Sequence, residues 1–318
     1  MSKPIVAMPF RHHASHVCAE ARKMLTDAGF ELVCNDTGEK LTPQAQHEMI
    51  RNAFGVIAGT EKYDDAMLEG CDGLRVIVRF GVGTDNFDLE AMRRRKIEVG
   101  VIANYNAVAE FTLTLMLAAL KSYPCCDREV RSGGWGRFPM RELTGKTVGL
   151  VGFGRIGKRL AELLSGFGVT LLVYDPYVAD EVVAAHHGRR AALEELLRSA
   201  DVVSLHLPST PETRHLLNAE RIACMKDGAY LINTARGALV DEAALTEALK
   251  SGKLAGAGLD VYETEPVTKE NPLFLLPNTA LAPHCSAITY ETNYNGGLTC
   301  AESILRVRNG GKPVYSLF

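Results

Sequence analysis

The feature that most constrains this sequence is a glycine-rich turn between an apolar strand and a helix. Residues 147–151 predict the strand, Gly152, Gly154 and Gly157 follow in the spacing G-x-G-x-x-G, and residues 156–167 predict the helix. In such a turn the first glycine allows the tight bend and the second lets backbone amides approach a pyrophosphate. The third allows the helix to pack against the strand. The sequence therefore predicts a dinucleotide-binding fold.

An acidic residue completes this pattern. A second predicted strand over residues 170–174 ends immediately before Asp175, near the spacing of about 20 residues typical of such folds. A carboxylate at that point accepts hydrogen bonds from a ribose 2′-OH and repels a 2′-phosphate. We therefore expect the cofactor to be NAD rather than NADP.

Strands and helices alternate along most of the chain, which favours parallel sheets with helical crossovers. We predict an α/β protein with two doubly wound, parallel-sheet, Rossmann-like domains and a cleft between them. A flavodoxin-like substrate domain is expected over residues 1–103 and 286–318, and an NAD-binding Rossmann domain over residues 104–285. A nearly all-apolar helix is predicted over residues 107–121, followed by an irregular excursion over residues 125–144.

The composition supports a globular chain. It has 318 residues, 47% of them hydrophobic and 23% charged, with a net charge of −3, and about 150 residues per domain suggests two domains. This charge balance offers no broad basic face for nucleic acid, and no apolar run approaches the roughly 20 residues of a membrane helix. We therefore expect neither nucleic acid nor a membrane as a partner, and we expect a cytoplasmic location.

Cysteine and histidine patterns predict no metal site. The eight cysteines contain no C-x-x-C pair, so reduced and mostly buried thiols are expected. Cys285 is left open as a redox candidate. His12, His13 and His16 are close in sequence, but no acid completes a recognisable ligand spacing.

Several segments resemble the D-2-hydroxyacid dehydrogenase family, particularly its phosphoglycerate-dehydrogenase-like members. The matching runs occur in the family's order and lie within residues 55–290; they are residues 79–86, 107–110, 232–237, 240–242, 256–266 and 282–284. The resemblance implies reversible transfer of a hydride between a 2-hydroxy acid and NAD, with a 2-keto acid as the oxidised product. It also suggests hydroxypyruvate or glyoxylate reductase activity as a variant of this reaction.

The resemblance assigns the catalytic residues to Arg236, Glu265 and His284. A histidine suits proton transfer to or from a hydroxyl near neutral pH. A carboxylate beside it fixes the tautomer and stabilises the imidazolium. A guanidinium can bind the substrate carboxylate in a fork and polarise the neighbouring oxygen.

The resemblance also assigns the binding residues. Cofactor contacts are expected at Val82, Gly152, Gly154, Arg155, Ile156, Gly157, Asp175, Leu207, Pro208, Thr234, Ala235, Asp260, Ser286 and Ala287. Substrate contacts are expected at Val82, Gly83, Arg236 and His284, with the Val82 and Gly83 amides facing the substrate carboxylate.

The substrate itself is left open by the sequence. Phosphoglycerate dehydrogenases often carry an arginine just after the third strand, where this chain has residues 58–62, Ala-Gly-Thr-Glu-Lys. Arg11, Lys62 and Arg79 follow predicted strand ends, where ligands of open sheets bind. They are either ordinary rim charges or contacts for an anionic or polyhydroxylated substrate tail.

Two alternative functions remain open. An NAD(H)-sensing corepressor on the same fold is one alternative. Formate dehydrogenase is the other, and its pattern pairs the histidine with glutamine, whereas Glu265 is an acid.

Residues 125–144 contain Trp135 among arginines, a composition that suits an interface, and we expect a homodimer.

Overall fold

The computed structural model describes residues 3–11 and 16–318. The chain divides into two compact units, one formed by Met1–Asn104 with Ile288–Phe318 and the other by Tyr105–Ala287. The first unit holds a five-stranded sheet and the second a seven-stranded sheet. The strand pairs within both sheets are parallel. The predicted α/β class with two parallel, Rossmann-like sheets is therefore confirmed.

The strands are short, and the two predicted over residues 147–151 and 170–174 are confirmed. In chain order they are β1 (Ile5–Met8), β2 (Glu31–Cys34), β3 (Ala53–Ala58), β4 (Val76–Arg79), β5 (Glu98–Val101), β6 (Thr147–Val151), β7 (Thr170–Tyr174), β8 (Gly188–Arg190), β9 (Val202–Leu205), β10 (Ala229–Asn233), β11 (Leu254–Leu259) and β12 (Thr279–Leu281). The central strands are largely buried, as expected when helices cover both faces of a parallel sheet.

The helices connect these strands. They are α1 (Ala19–Asp27), α2 (Pro43–Ile50), α3 (Leu89–Arg94), α4 (Tyr105–Leu120), α5 (Tyr123–Arg131), α6 (Arg155–Leu164), α7 (Asp180–Ala184), α8 (Leu193–Ser199), α9 (Ala219–Cys224), α10 (Glu242–Lys250) and α11 (Tyr290–Arg308). None of the helices in the described residues has both the length and the apolar character needed to cross a membrane.

The strand order identifies one switch point in each sheet. The first sheet runs β2-β1-β3-β4-β5, so the order reverses between β1 and β3. The second runs β12-β11-β10-β9-β6-β7-β8, so the order reverses between β6 and β9. Ligands of open parallel sheets bind beyond the carboxyl ends of the strands at such points. Each unit is therefore expected to bind its ligand there.

The structure corrects one local prediction. The irregular excursion predicted over residues 125–144 was wrong at its start, because α5 extends to Arg131. Pro124 in the first turn and the Arg131–Asp127 pair, at 2.8 Å, favour a helix there. Helix α1 begins at Ala19, and residues 12–15, which include His12 and His13, lie outside the described part.

His206, beside the glycine turn of the second unit, should make the stability of the fold depend on pH. Burial lowers the pKa of His206 to about 4 from an ordinary 6.5. The ring nitrogen Nε2 lies 3.0 Å from the Ser204 hydroxyl. Because the native state resists protonation, the stabilisation is complete above the unfolded-state pKa. It is lost as the pH falls through 6.5 towards 4.

We predict that acidification from about pH 7 to about pH 5 destabilises the wild type more than His206→Gln. Glutamine can keep a hydrogen bond to Ser204 but does not titrate. Since the residue retains some exposure, the excess loss should stay below about 1.4 kcal/mol per pH unit. Urea unfolding of both proteins at each pH measures it, and equal losses in the two proteins would contradict the assignment.

Candidate functional site

The glycine turn after β6 has the shape that a dinucleotide requires. Gly152 has a φ of 101°, and a Cβ on it would lie 2.6 Å from the carbonyl oxygen of His206. A Cβ on Gly157 would lie 2.5 Å from the carbonyl oxygen of Gly152. Both positions therefore require glycine for close packing of strand, turn and helix.

The space in front of this turn is open to a ligand. Apart from its chain neighbours and the backbone of its own helix, no atom of the described residues lies within 4 Å of the Cβ position on Gly154, and α6 begins at the next residue without a side-chain cap. The first backbone N–H groups of α6, including those of Arg155 and Ile156, can therefore face an anion, and the helix dipole favours it. This cradle fits the pyrophosphate of NAD.

Asp175 lies directly beside the turn. Its Oδ2 accepts a hydrogen bond from the Phe153 amide at 2.8 Å, and its Oδ1 accepts one from the Tyr177 amide at 2.9 Å. These two bonds fix the carboxylate at the end of β7 and leave lone pairs for a ribose hydroxyl. Across the turn, Leu207 Cδ2 lies 3.0 Å from the Cβ position on Gly152, and Pro208 follows it.

A histidine and a carboxylate form a close pair at the carboxyl end of the same sheet. His284 follows β12, and its Nδ1 lies 2.6 Å from Oε2 of Glu265, which follows β11. Glu265 Oε1 accepts a hydrogen bond from the Tyr262 amide at 3.0 Å. The imidazole is about half exposed, at 49%. With Nδ1 directed at the carboxylate, Nε2 is the ring nitrogen left for a substrate.

The carboxylate of this pair is held in its charged form. Burial alone would raise the pKa of Glu265, but the hydrogen bonds from His284 and from the Tyr262 amide outweigh it. The positive charges of His284 and Arg236 act in the same direction, so the pKa is lowered overall. A charged Glu265 can therefore hold Nδ1 of the imidazole in a charge-assisted hydrogen bond.

Arg236 follows β10, and a buried asparagine fixes its backbone. Asn233 is only 1% exposed. Its amide nitrogen donates to the Arg236 carbonyl at 2.9 Å, and its side-chain oxygen accepts from the Ala235 amide at 3.0 Å. Thr234, between them, shares a 2.7 Å hydrogen bond with Thr112 of α4. Sequence reasoning assigned roles to residues 234–236 but missed the positioning role of Asn233.

Asp260 positions the histidine segment from within the protein. Its side chain is fully buried and accepts hydrogen bonds from the amides of Cys285 at 2.8 Å and Ser286 at 3.0 Å. Its own carbonyl accepts from the His284 amide at 2.8 Å. Asp260, Ser286 and Ala287 were predicted as cofactor contacts, and those contacts stay predictions. The hydrogen bonds that the structure gives Asp260 are with the backbone amides of residues 284–286, which carry His284.

The same environment makes Cys285 a poor nucleophile. Burial raises the pKa of its thiol, and the charge of Asp260 and a hydrogen bond to it raise the pKa further. Thiolates rather than thiols react with oxidants and electrophiles. The local electrostatics therefore oppose a redox role for Cys285.

Glu242 and Glu263 connect the segment that carries Arg236 to the segment that carries Glu265. The sequence analysis assigned no role to either glutamate. The Glu263 amide donates to Oε1 of Glu242, the first residue of α10, and the Glu242 amide donates back to Oε2 of Glu263 at 3.3 Å. His215 Nε2 also contacts Glu263 Oε1. Close to these hydrogen bonds, a Cβ on Gly237 would lie 1.9 Å from the backbone carbonyl carbon of Tyr262. The segments that carry Arg236 and Glu265 are thereby held in register.

The predicted residues of the first unit lie at the carboxyl end of its sheet. Arg79 donates to the carbonyls of Phe80 at 2.9 Å and Gly83 at 3.2 Å, so it shapes the loop that carries Val82. Val82 is 40% exposed. Lys62 pairs with Asp64 at 2.7 Å, and Arg11 is exposed. Substrate contacts of these residues stay predictions.

Comparison with known proteins identifies the family. The family model described as D-isomer specific 2-hydroxyacid dehydrogenase, NAD binding domain, matches residues 113–286. A D-3-phosphoglycerate dehydrogenase of Methanocaldococcus jannaschii is 41% identical over 298 residues, which cover 92% of this chain and 56% of that protein. A glyoxylate reductase of Aeropyrum pernix is 39% identical over 267 residues, covering 80% of this chain and 79% of that one.

The fold agrees with these matches. The crystal structure of the TT0316 protein from Thermus thermophilus aligns with a TM-score of 0.88 at 34% identity, covering 99% of this chain and 100% of that one. The chain spans only about half the length of the curated phosphoglycerate dehydrogenases it matches, 53% and 56%. The predicted resemblance and the predicted cofactor, NAD, are confirmed. The chain belongs to the D-isomer specific 2-hydroxyacid dehydrogenase family of NAD-dependent oxidoreductases.

Proposed function

We propose that this chain is a D-2-hydroxyacid dehydrogenase that interconverts a 2-hydroxy acid and a 2-keto acid with NAD. The observation that supports this most is the 2.6 Å pair between His284 and Glu265. It lies in the same unit as Arg236 and the glycine turn, and at the same end of the sheet. A general acid–base, a guanidinium and a dinucleotide cradle together are what this reaction requires.

In this proposal His284 moves the proton. Its Nε2 takes the proton of the substrate hydroxyl during oxidation and returns one to the C2 oxygen during reduction. Glu265 holds Nδ1, so the ring keeps the tautomer and orientation that this transfer needs, and its charge stabilises the imidazolium. When bound, the nicotinamide of NAD accepts or supplies the hydride at the substrate C2.

Arg236 binds and polarises the substrate. A guanidinium can form two parallel hydrogen bonds to a carboxylate, and Arg236 can also stabilise negative charge that develops on the C2 oxygen during reduction. We assign the backbone amides of Val82 and Gly83 to the substrate carboxylate as well. The first unit is then the substrate domain and the second the cofactor domain.

The remaining sequence predictions are carried into the proposal. Glyoxylate, hydroxypyruvate and 3-phosphohydroxypyruvate are the candidate keto acids, because similar proteins are named for glyoxylate and phosphoglycerate chemistry. We propose a cytoplasmic homodimer that uses the segment after α4, where Tyr123, Val130, Trp135 and Met140 are each more than half exposed. Binding of NADH without turnover of any keto acid would favour the corepressor alternative.

The first test concerns proton transfer. His284→Ala should reduce turnover of glyoxylate by about 100-fold or more, the usual contribution of a general acid–base. NADH affinity should stay nearly unchanged, because the cofactor cradle is built by other residues. Steady-state rates and NADH fluorescence titration measure the two effects. Exposed His187, replaced in His187→Asn, is the matched control, and a His284→Ala rate within a few fold of wild type would refute the assignment.

The second test concerns cofactor choice. Asp175→Ala should weaken NAD binding and shift the ratio of NADP to NAD affinity towards NADP by about tenfold, since a charged hydrogen bond is lost and a repulsive charge removed. Asp180→Ala, which removes an exposed acid of the same unit, controls for net charge. Titration with both reduced cofactors decides it, and a wild type that prefers NADPH would contradict the role of Asp175.

A further inference from the structure

A cavity of about 100 Å³ lies at the amino end of the seven-stranded sheet, opposite the end that carries the glycine turn and the His284–Glu265 pair. It is formed where three strands begin, because Lys146 precedes β6, Asp201 precedes β9 and Gly228 precedes β10. All of its lining residues belong to the second unit. A cavity of this volume holds more than one water molecule and has room for a small ion. The proposed reaction makes no use of it.

Two cations line this cavity without an anionic partner. The backbone of Arg141 is fixed, since its amide donates to the carbonyl of Leu120 at the end of α4 at 2.8 Å, and Lys146 is half-buried. Among the described residues, no carboxylate oxygen lies within 4 Å of the Arg141 guanidinium or the Lys146 ammonium, and neither group forms a hydrogen bond. The charge of Lys146 reaches Asp201 only through space, beyond ion-pair distance.

The two carboxylates at the cavity already have cations of their own. One oxygen of Asp201 accepts a hydrogen bond from the Thr147 amide at 2.8 Å, and the other pairs with Lys226 at 3.1 Å. Asp227 pairs with Lys253 at 2.7 Å, and its side chain is 91% exposed. Neither Lys226 nor Lys253 lines the cavity. The two cations that do line it therefore leave an excess of positive charge there.

A buried tyrosine adds a third hydrogen-bond donor. Tyr230 of β10 lines the cavity and is only 8% exposed. Its hydroxyl has no hydrogen-bond partner among the residues that the structure describes. Burial raises the pKa of Tyr230, and the nearby charge of Arg141 opposes this only in part, so the hydroxyl keeps its proton at neutral pH. Because a nearly buried hydroxyl without a partner is costly, a ligand that accepts this hydrogen bond is favoured.

We propose that this cavity binds the phosphate group of a small ligand, either inorganic phosphate or a phosphate monoester. The Arg141 guanidinium donates to two of its oxygens, the Tyr230 hydroxyl donates to a third, and Lys146 supplies the second positive charge. Two cations match the double negative charge of a phosphate better than the single charge of a carboxylate. The cavity is partly open, so the organic part of an ester can remain outside it. The inference does not depend on the proposed dehydrogenase function.

The test is calorimetric titration with inorganic phosphate in a chloride buffer of low ionic strength. The protein is first saturated with NADH, so that the cofactor cradle is filled and does not bind phosphate itself. The wild type should bind phosphate saturably. Arg141→Ala should weaken this binding by about tenfold or more, because a charge-assisted pair of hydrogen bonds is lost. Tyr230→Phe, which keeps the ring and removes only the hydroxyl, should weaken it by about fivefold.

The matched control is Arg137→Ala. Arg137 is an exposed arginine of the same segment that does not line the cavity, so its loss should leave phosphate binding unchanged. NADH affinity should be the same in all variants, which shows that each of them is folded. Acetate, which carries a single charge, should bind the wild type about tenfold more weakly than phosphate.

Glycerol 3-phosphate separates the two sources of the phosphate group. Tighter binding than inorganic phosphate identifies an ester as the ligand, and weaker binding identifies the free ion. The inference is overturned if the wild type binds no phosphate at concentrations up to about 10 mM. It is also overturned if Arg141→Ala or Tyr230→Phe binds phosphate as tightly as the wild type, or if acetate binds as tightly as phosphate.

Discussion

The arrangement of the proposed catalytic residues depends on one buried carboxylate. Asp260, at the end of β11, is fully buried and accepts the amides of Cys285 and Ser286, while its carbonyl accepts the His284 amide. Charge-assisted bonds of this kind are stronger than neutral ones, and a buried carboxylate without them would be very costly. The backbone that follows β12 must therefore keep this path, which gives His284 its left-handed φ of 52°.

From that fixed backbone the proposed site is built through short contacts. His284 Nδ1 hydrogen-bonds to one oxygen of Glu265, and the Tyr262 amide donates to the other oxygen. The hydrogen bonds between Glu242 and Glu263 fix the same loop against α10. Asn233 fixes the backbone of Arg236. The residues proposed to react in the second unit are thus held, through side chain or backbone, by neighbours that contact no substrate in the proposed reaction, as a preorganised site requires.

Sequence reasoning reached the fold class because alternating strands, the glycine spacing and Asp175 are local patterns, and it reached the family through the resemblance of the matching runs within residues 55–290. It did not reach contacts between segments distant in the chain, such as Asp260 with Ser286 or Glu242 with Glu263. Nor did it find that Arg141, Lys146 and Tyr230 line one cavity. It missed α5 because turn-forming residues in its neighbourhood outweighed the helical pairing of Asp127 and Arg131.

The central claim, that Glu265 positions His284 for proton transfer, is tested most directly by the kinetics of Glu265→Gln with glyoxylate. Glutamine has nearly the same shape as glutamate but lacks the charge that supports the imidazole during proton transfer, so kcat/KM should fall by about tenfold or more while NADH affinity stays nearly unchanged. A kcat/KM of Glu265→Gln within a few fold of the wild type would contradict the account.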